Sequence, residues 1–215
     1  MDDVILRNVN LFIKRLIDFF GSLIGAIIIL PILIIIALFI KLTSKGPVFF
    51  KQERLGKNGK KFKILKFRTM VVNAEKIGDG LFVKTEQDNR ITKIGKILRA
   101  TSLDELPQLW NVIVGDMSLV GPRPPVPHHP YKYDDYTELQ RKRFEMKPGM
   151  TGLTQVTVRN SVTWEERIPV DVKYVETFNV WVDIKILIKT IQKIFVREDI
   201  YTHPEQKDSK STYMS

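Results

Sequence analysis

The chain has 215 residues, 44% of them hydrophobic, with 34 Lys and Arg against 24 Asp and Glu, a net charge of +10 and no cysteine. That length supports one domain with accessory segments around a buried core. The absence of cysteine excludes disulfide scaffolds, cysteine nucleophiles and cysteine-based zinc sites. Three histidines, His128, His129 and His203, do not make a three-histidine catalytic metal centre, because His203 falls in a polar tail. The basic excess points to an anionic partner, whether phosphate ligand, membrane surface or nucleic acid.

Phe19 to Ile40 is twenty-two residues without a charge. At ~1.5 Å per residue, a straight helix of that size just crosses the ~30 Å hydrocarbon core of a bilayer. Lys41-Leu42-Thr43-Ser44-Lys45 follows it in place of a small-residue cleavage site, so the segment reads as a retained membrane anchor. Pro31 lies in the middle of the run, where it removes a helical hydrogen bond. Arg7, Lys14 and Arg15 precede the run, and Lys41, Lys45, Lys51 and Arg54 follow it. The positive-inside rule places both flanks on the cytoplasmic side. A helix broken at Pro31 that enters and leaves by one face satisfies this, so a re-entrant anchor over residues 1–42 is expected, with a spanning helix as the alternative.

Lys41 to Met70 carries ten Lys or Arg and a single acid, Glu53. Val48 to Leu55 and Lys60 to Phe67 are strand-like, and the intervening Asn58-Gly59 is a hairpin-turn signal. Period-two alternation places Phe62, Ile64, Lys66 and Arg68 on one face. The spacing of Gly56-Lys57-Asn58-Gly59-Lys60-Lys61 is wrong for a phosphate loop of the P-loop type.

Ile91 to Arg99 reads as a helix, and Ser102-Leu103-Asp104-Glu105 begins another that runs to about Val114. Ser102 with Glu105 three residues on is a capping box, which by itself accounts for both acids at a helix start. Pro107 lies past the position where a first turn accepts proline, so the turn is expected to be distorted and to shape a site. Gly121 to Pro130 holds five of the eleven prolines around Arg123, a rigid setting for a guanidinium whose fork suits phosphate. A helix is expected from about Asp135 to Met146, stopped at Pro148-Gly149. The last, from about Trp181 to Arg197, is amphipathic, with Lys185, Lys189, Lys193 and Arg197 against Trp181, Ile184, Ile188, Ile191 and Phe195. Such a helix suits a membrane interface as well as a protein core.

These runs together resemble the bacterial monotopic phosphoglycosyl transferases, or bacterial sugar transferases. The matching segments are Lys14-Arg15 with Asp18; Gly46 to Arg54; Lys66-Phe67-Arg68-Thr69-Met70; Ser102 to Gln108; Gly115 to Pro124; and Pro148 to Leu153, in family order over about residues 14 to 195. The resemblance is to the small branch that consists of the catalytic domain alone. It implies a helix-dominated α+β fold with a re-entrant membrane helix, a small β-hairpin and amphipathic interfacial helices. The catalytic domain would occupy 43–200, and a polar tail 201–215.

It also implies transfer of a sugar 1-phosphate from a UDP-sugar to polyprenyl phosphate, at the cytoplasmic face of the bacterial inner membrane. By similarity Asp104 is the nucleophile, forming a phosphosugar-aspartyl intermediate and releasing UMP, and Glu105 with Asp104 holds Mg²⁺. Lys66, Arg68, Arg99, Arg123 and Asp171 are the implied substrate or phosphate contacts. Arg159 joins them as a candidate for nucleotide or sugar recognition, although Val158 stands where the family often has glycine, just as Leu30 stands where it often has serine before the membrane proline. Membrane lipid is an expected partner, nucleic acid is not, and homo-oligomerisation stays open. The alternative reading is a non-catalytic basic module that attaches to anionic membranes.

Overall fold

The Leu- and Ile-rich N-terminal run folds as one helix, α1, Asp2–Thr43, with Pro31 inside it. A computed structural model of the chain describes residues 2–77, 88–158 and 162–196. The break expected at Pro31 is corrected in one respect: the chain stays helical on both sides of it. A proline deletes one N–H donor, and long apolar runs on either side sustain the remaining bonds.

Both halves of α1 dock on the same body. In the first half Lys14 Nζ donates to Val120 O at 2.8 Å and pairs with Asp183 at 2.5 Å, while Asp18 Oδ1 accepts from the Leu119 N–H at 2.9 Å and the Ser118 hydroxyl at 3.0 Å. In the second half Ile36 and Ile40 enter a cluster with Phe67 and Leu98. Ile24, Ile27, Ile28, Leu30, Ile34 and Ile35, among others, remain exposed.

The predicted hairpin is present. Strands β1, Phe49–Leu55, and β2, Lys61–Phe67, pair antiparallel with Phe49 opposite Phe67 and Leu55 opposite Lys61. Their connection is a short 3₁₀ turn, Lys57–Gly59, with positive φ at Asn58 and Gly59, as the Asn-Gly pair favours. Helix α2, Lys93–Ala100, starts at Thr92, whose hydroxyl accepts from the Gly95 N–H.

The next segment departs from the expected helix. Leu103–Gln108 is 3₁₀, and only Leu109–Val114, α3, is α-helical. Ser102 takes a left-handed conformation (φ 56°, ψ 16°) and its side chain makes no capping bond, so the predicted capping box does not form. A capping serine ordinarily has extended backbone angles, which Ser102 does not adopt. Helix α3 ends at Gly115 (φ 94°), and Arg15 of α1 donates to the terminal carbonyls of Val112 and Ile113. Asn111 bridges α3 to the hairpin, donating to Lys63 O and accepting from the Leu65 N–H, each at 2.9 Å.

Strands β3, Ser118–Val120, and β4, Gly149–Thr151, form a small parallel pair. Gly149 lies against the backbone of Gly121, where a Cβ would collide with main-chain atoms, and this fixes where the proline-rich loop leaves β3. The helix expected at 135–146 is shorter: α4, Glu138–Arg141, continues into a 3₁₀ turn, Lys142–Phe144, after a separate 3₁₀ turn at Tyr133–Asp135. Helices α5, Leu153–Thr157, α6, Trp164–Glu176, and α7, Val180–Val196, complete the described chain. Val120, Val156, Tyr174, Val175 and Ile186 form the core beneath them. The architecture is helix-dominated α+β, as expected.

Candidate active site

Asp104 and Glu105 sit side by side in the 3₁₀ segment, in the wall of an open cavity of about 480 Å³. The cavity is bounded by β2 through Lys66, by the end of α2 through Arg99, by the proline-rich loop through Arg123, and by β4, α5, α6 and α7 on the far side. Five cationic side chains line it, Lys66, Arg99, Arg123, Arg167 and Lys193, against two carboxylates. Such a surplus in a recess favours polyanionic ligands.

Lys66 Nζ donates to Glu105 Oε1 at 2.5 Å, and Arg123 lies 3.8 Å from the same oxygen. Burial favours the neutral form of Glu105, but Lys66, Arg123 and Arg54 outweigh it and hold the carboxyl at about 2. Burial pushes Asp104 the other way, up to about 6; Glu105 adds to the rise, and Lys66 and Arg99 oppose it. Two neighbouring carboxylates thus differ in charge state: Glu105 is ionised across the neutral range, while Asp104 titrates just below neutrality and carries no ion pair among the described residues. On the far side burial, with Arg123 and Arg143 beside it, lowers Arg167 to about 10, which leaves it charged at neutral pH.

The left-handed Ser102 precedes the pair. A non-glycine residue there is uncommon, and it turns the chain so that Leu103–Gln108 presents its acids to the cavity instead of capping a longer helix.

Of the expected contacts, Lys66, Arg99 and Arg123 join Asp104 and Glu105 at this cavity. Arg68 lies elsewhere: its guanidinium donates to Ser44 O, Ser44 Oγ and Lys45 O, holding the chain that leaves α1. Asp171 is 1% exposed and behind the wall, accepting from Arg143 at 2.6 Å and from the Thr154 hydroxyl. Arg143 also donates to Arg123 O, so Asp171 supports the arginine loop from beneath. Arg159 lies outside the described residues. Gln155, Arg167 and Lys193 were not foreseen; only the +4 spacing of the α7 lysines gave a signal for one of them.

A family model for bacterial sugar transferases matches residues 9–197. The chain belongs to the bacterial sugar transferase family. It is 42% identical over 201 residues to a UDP-glucose:undecaprenyl-phosphate glucose-1-phosphate transferase of Klebsiella pneumoniae, covering 91% of this chain and 43% of that protein. It is 42% identical over 197 residues to the galactosyl transferase CpsE of Streptococcus agalactiae, covering 87% and 43%. An uncharacterized sugar transferase of Bacillus subtilis, EpsL, is 42% identical over 194 residues, covering 88% of this chain and 91% of its own. The chain therefore spans under half the length of the first two relatives, and the residues matched by the family model contain every cavity residue described above.

Proposed function

We propose that this protein transfers a sugar 1-phosphate from a UDP-sugar to polyprenyl phosphate at the cytoplasmic face of a bacterial membrane. The observation that carries the reading is the unequal carboxylate pair: Asp104, raised to about 6, next to Glu105, held at about 2 by Lys66 and Arg123, in a cation-lined cavity. The relatives' names supply the reaction class by similarity.

In the proposed first step an Asp104 carboxylate oxygen attacks the β-phosphorus. A P–O bond to the leaving UMP breaks, and UMP departs with the electron pair. Asp104 then holds a mixed anhydride with the sugar phosphate. In the second step a phosphate oxygen of polyprenyl phosphate attacks the same phosphorus, and the Asp104 carboxylate is the leaving group. Phosphoryl transfer of this kind needs positioning and charge stabilisation more than a strong base, and Lys66, Arg99 and Arg123 are placed to stabilise the equatorial oxygens. Covalent catalysis splits the displacement in two and gives ping-pong kinetics.

The residues also fit Mg²⁺. No cluster of three or more metal-ligating side chains gathers among the described residues, but Glu105 and Asp104 provide the one or two carboxylates that Mg²⁺ takes alongside substrate phosphates. When bound it would neutralise charge on the diphosphate.

Membrane attachment rests on α1, whose most apolar 18-residue window has a mean hydropathy of 3.3 and is largely exposed. Docking of both halves of α1 on one body supports the re-entrant arrangement, since the ends of a spanning helix lie ~30 Å of hydrocarbon apart. The deciding experiment measures UMP release by purified protein from a panel of UDP-sugars, with undecaprenyl phosphate as acceptor. Mg²⁺-dependent release that Asp104→Asn abolishes, with membrane association retained, is expected. Membrane binding with no release from any donor would favour a non-catalytic module.

A further inference from the structure

Gln155 is the one cavity residue whose side-chain polar atoms, Oε1 and Nε2, are both buried and without a hydrogen-bond partner among the described residues. Buried polar groups are nearly always satisfied, and each exception calls for a reason. Its neighbours give none. Thr154 Oγ1 is committed to Asp171, and Thr190 Oγ1, on the facing helix, is committed to Thr151 Oγ1 and Ile186 O. The amide rests against Gly152, where a Cβ would come 2.8 Å from Oε1. Gly152 is bare chiefly because the Gly121 carbonyl would lie 2.1 Å from a Cβ there. Since both amide atoms are closed to solvent, a ligand in the cavity becomes their partner once the side chain turns toward it.

The chemistry of the two substrates in the transferase reading decides which one does so. Polyprenyl phosphate as a dianion offers acceptors and hydrocarbon but no donor, so it can satisfy Nε2 and never Oε1. A uridine nucleotide offers both. The uracil imide presents an N–H beside a C=O in one plane, the two-point complement of a primary amide, as in the bidentate pairing of Gln with adenine. Met150, Val156 and Leu187 also line the cavity, and low-polarity surroundings of this kind strengthen such a pair.

We propose that Gln155 binds the uracil edge of the nucleotide-sugar donor and has no part in binding the lipid acceptor. The proposal rests on the transferase reading, and it makes a kinetic prediction that the reading alone does not. In a two-step transfer UMP has left before the acceptor attacks, so a residue that reads uracil affects only the first half-reaction.

The test uses full-length protein, the best donor from the UDP-sugar panel and undecaprenyl phosphate. Gln155→Met keeps length and approximate volume and removes both polar atoms. Donor kcat/KM should fall roughly tenfold to thirtyfold, and UMP should inhibit more weakly by a similar factor. Acceptor kcat/KM should be unchanged. Tm should hold or rise, because two unsatisfied polar atoms are lost. Gln155→Glu, which keeps an acceptor, loses the donor and adds charge, should be at least as impaired toward the donor. Equal loss on both substrates, unchanged UMP inhibition or a clear fall in Tm would overturn the assignment. Failure of the wild type to release UMP from any donor would remove the transferase reading itself, whereas wild-type turnover matched by Gln155→Met would remove only the role of Gln155.

Discussion

Lys66 Nζ lies 2.5 Å from Glu105 Oε1, and that pairing sets Glu105 apart from the carboxylate beside it in sequence. Glu105 is held at about 2 and Asp104 is raised to about 6. A nucleophilic Asp104 is active only when ionised, so the rate of the first half-reaction should rise with pH through about 6 and level off above 7. Glu105→Gln removes a negative neighbour that raises Asp104, so any residual activity should have its acid limb displaced to lower pH. Single-turnover UMP release between pH 4.5 and 8 checks both. An acid limb near 4 in the wild type would contradict the burial argument.

The same shift makes a stability prediction of definite sign. Asp104 has its folded pKa raised above the ordinary 3.8, so the folded state binds the proton more tightly than the unfolded chain. Stability is then greatest below the ordinary value and declines as pH rises toward about 6. Asp104→Asn removes the buried charge. The variant should be more stable than wild type at pH 7 by on the order of 1–3 kcal/mol, and indistinguishable near pH 3.5. Thermal unfolding in detergent at the two pH values measures this. A variant less stable at pH 7 would mean that Asp104 is held in place by interactions that its ionised form needs.

Asp171 predicts a different outcome from the cavity acids. It is buried against Arg143, which is itself 1% exposed and donates to Arg123 O. Removing one partner of such a pair strands a buried charge, at a typical cost of about 3–5 kcal/mol. Asp171→Ala should therefore unfold at markedly lower denaturant and lose activity in parallel, while Asp104→Asn loses activity without that fall. An Asp171→Ala protein with normal stability and no turnover would instead put Asp171 in contact with substrate.

The hairpin and the acidic pair were legible because their signals are local. Asn58-Gly59 dictates positive φ, and the Ser102–Gln108 run matches a family pattern. What the sequence concealed depends on tertiary contacts. Period two put Arg68 on the face of Lys66, but β2 ends at Phe67, so alternation no longer governs Arg68 and it turns to the end of α1. The capping box has the right residues at the right spacing, yet Ser102 is left-handed, and no pairwise spacing reports that. Gln155 lies in the five-residue helix α5; its importance lies in lacking partners among the described residues, which only packing reveals. Pro31 marked the middle of the anchor, but the helix carries through it.

The arrangement of α1 has a topological consequence. Lys14 and Asp18 bind β3 and α7, while Ile36 and Ile40 pack on Phe67 and Leu98. The re-entrant arrangement proposed above puts the N-terminus on the same side as the catalytic domain. In this cysteine-free chain Asn8→Cys provides a single thiol at an exposed position. An impermeant thiol reagent should leave it unlabelled in intact cells and label it after the inner membrane is opened. Labelling of intact cells would establish a translocated N-terminus and a spanning helix.

Helix α7 is a candidate second membrane contact. Trp181, Ile188 and Ile191 are 72%, 52% and 59% exposed, while Asp183 and Ile186 face inward. The apolar side read from the sequence is therefore turned out, with Lys185 and Lys189 also exposed, the pattern of a helix lying at an anionic interface. Replacing exposed side chains costs little in fold stability, usually within about 0.5 kcal/mol. Burying an apolar side chain of this size in lipid is worth about 1.5–3 kcal/mol. Trp181→Glu with Ile188→Glu should thus leave Tm nearly unchanged, and at limiting lipid should raise the vesicle concentration needed for half-maximal turnover at least roughly tenfold. Tryptophan emission should shift to the blue on adding anionic vesicles in the wild type and by much less in the double variant, which lacks Trp181. Fluorescence indifferent to vesicles, together with wild-type lipid dependence in the double variant, would leave α1 to hold the membrane alone.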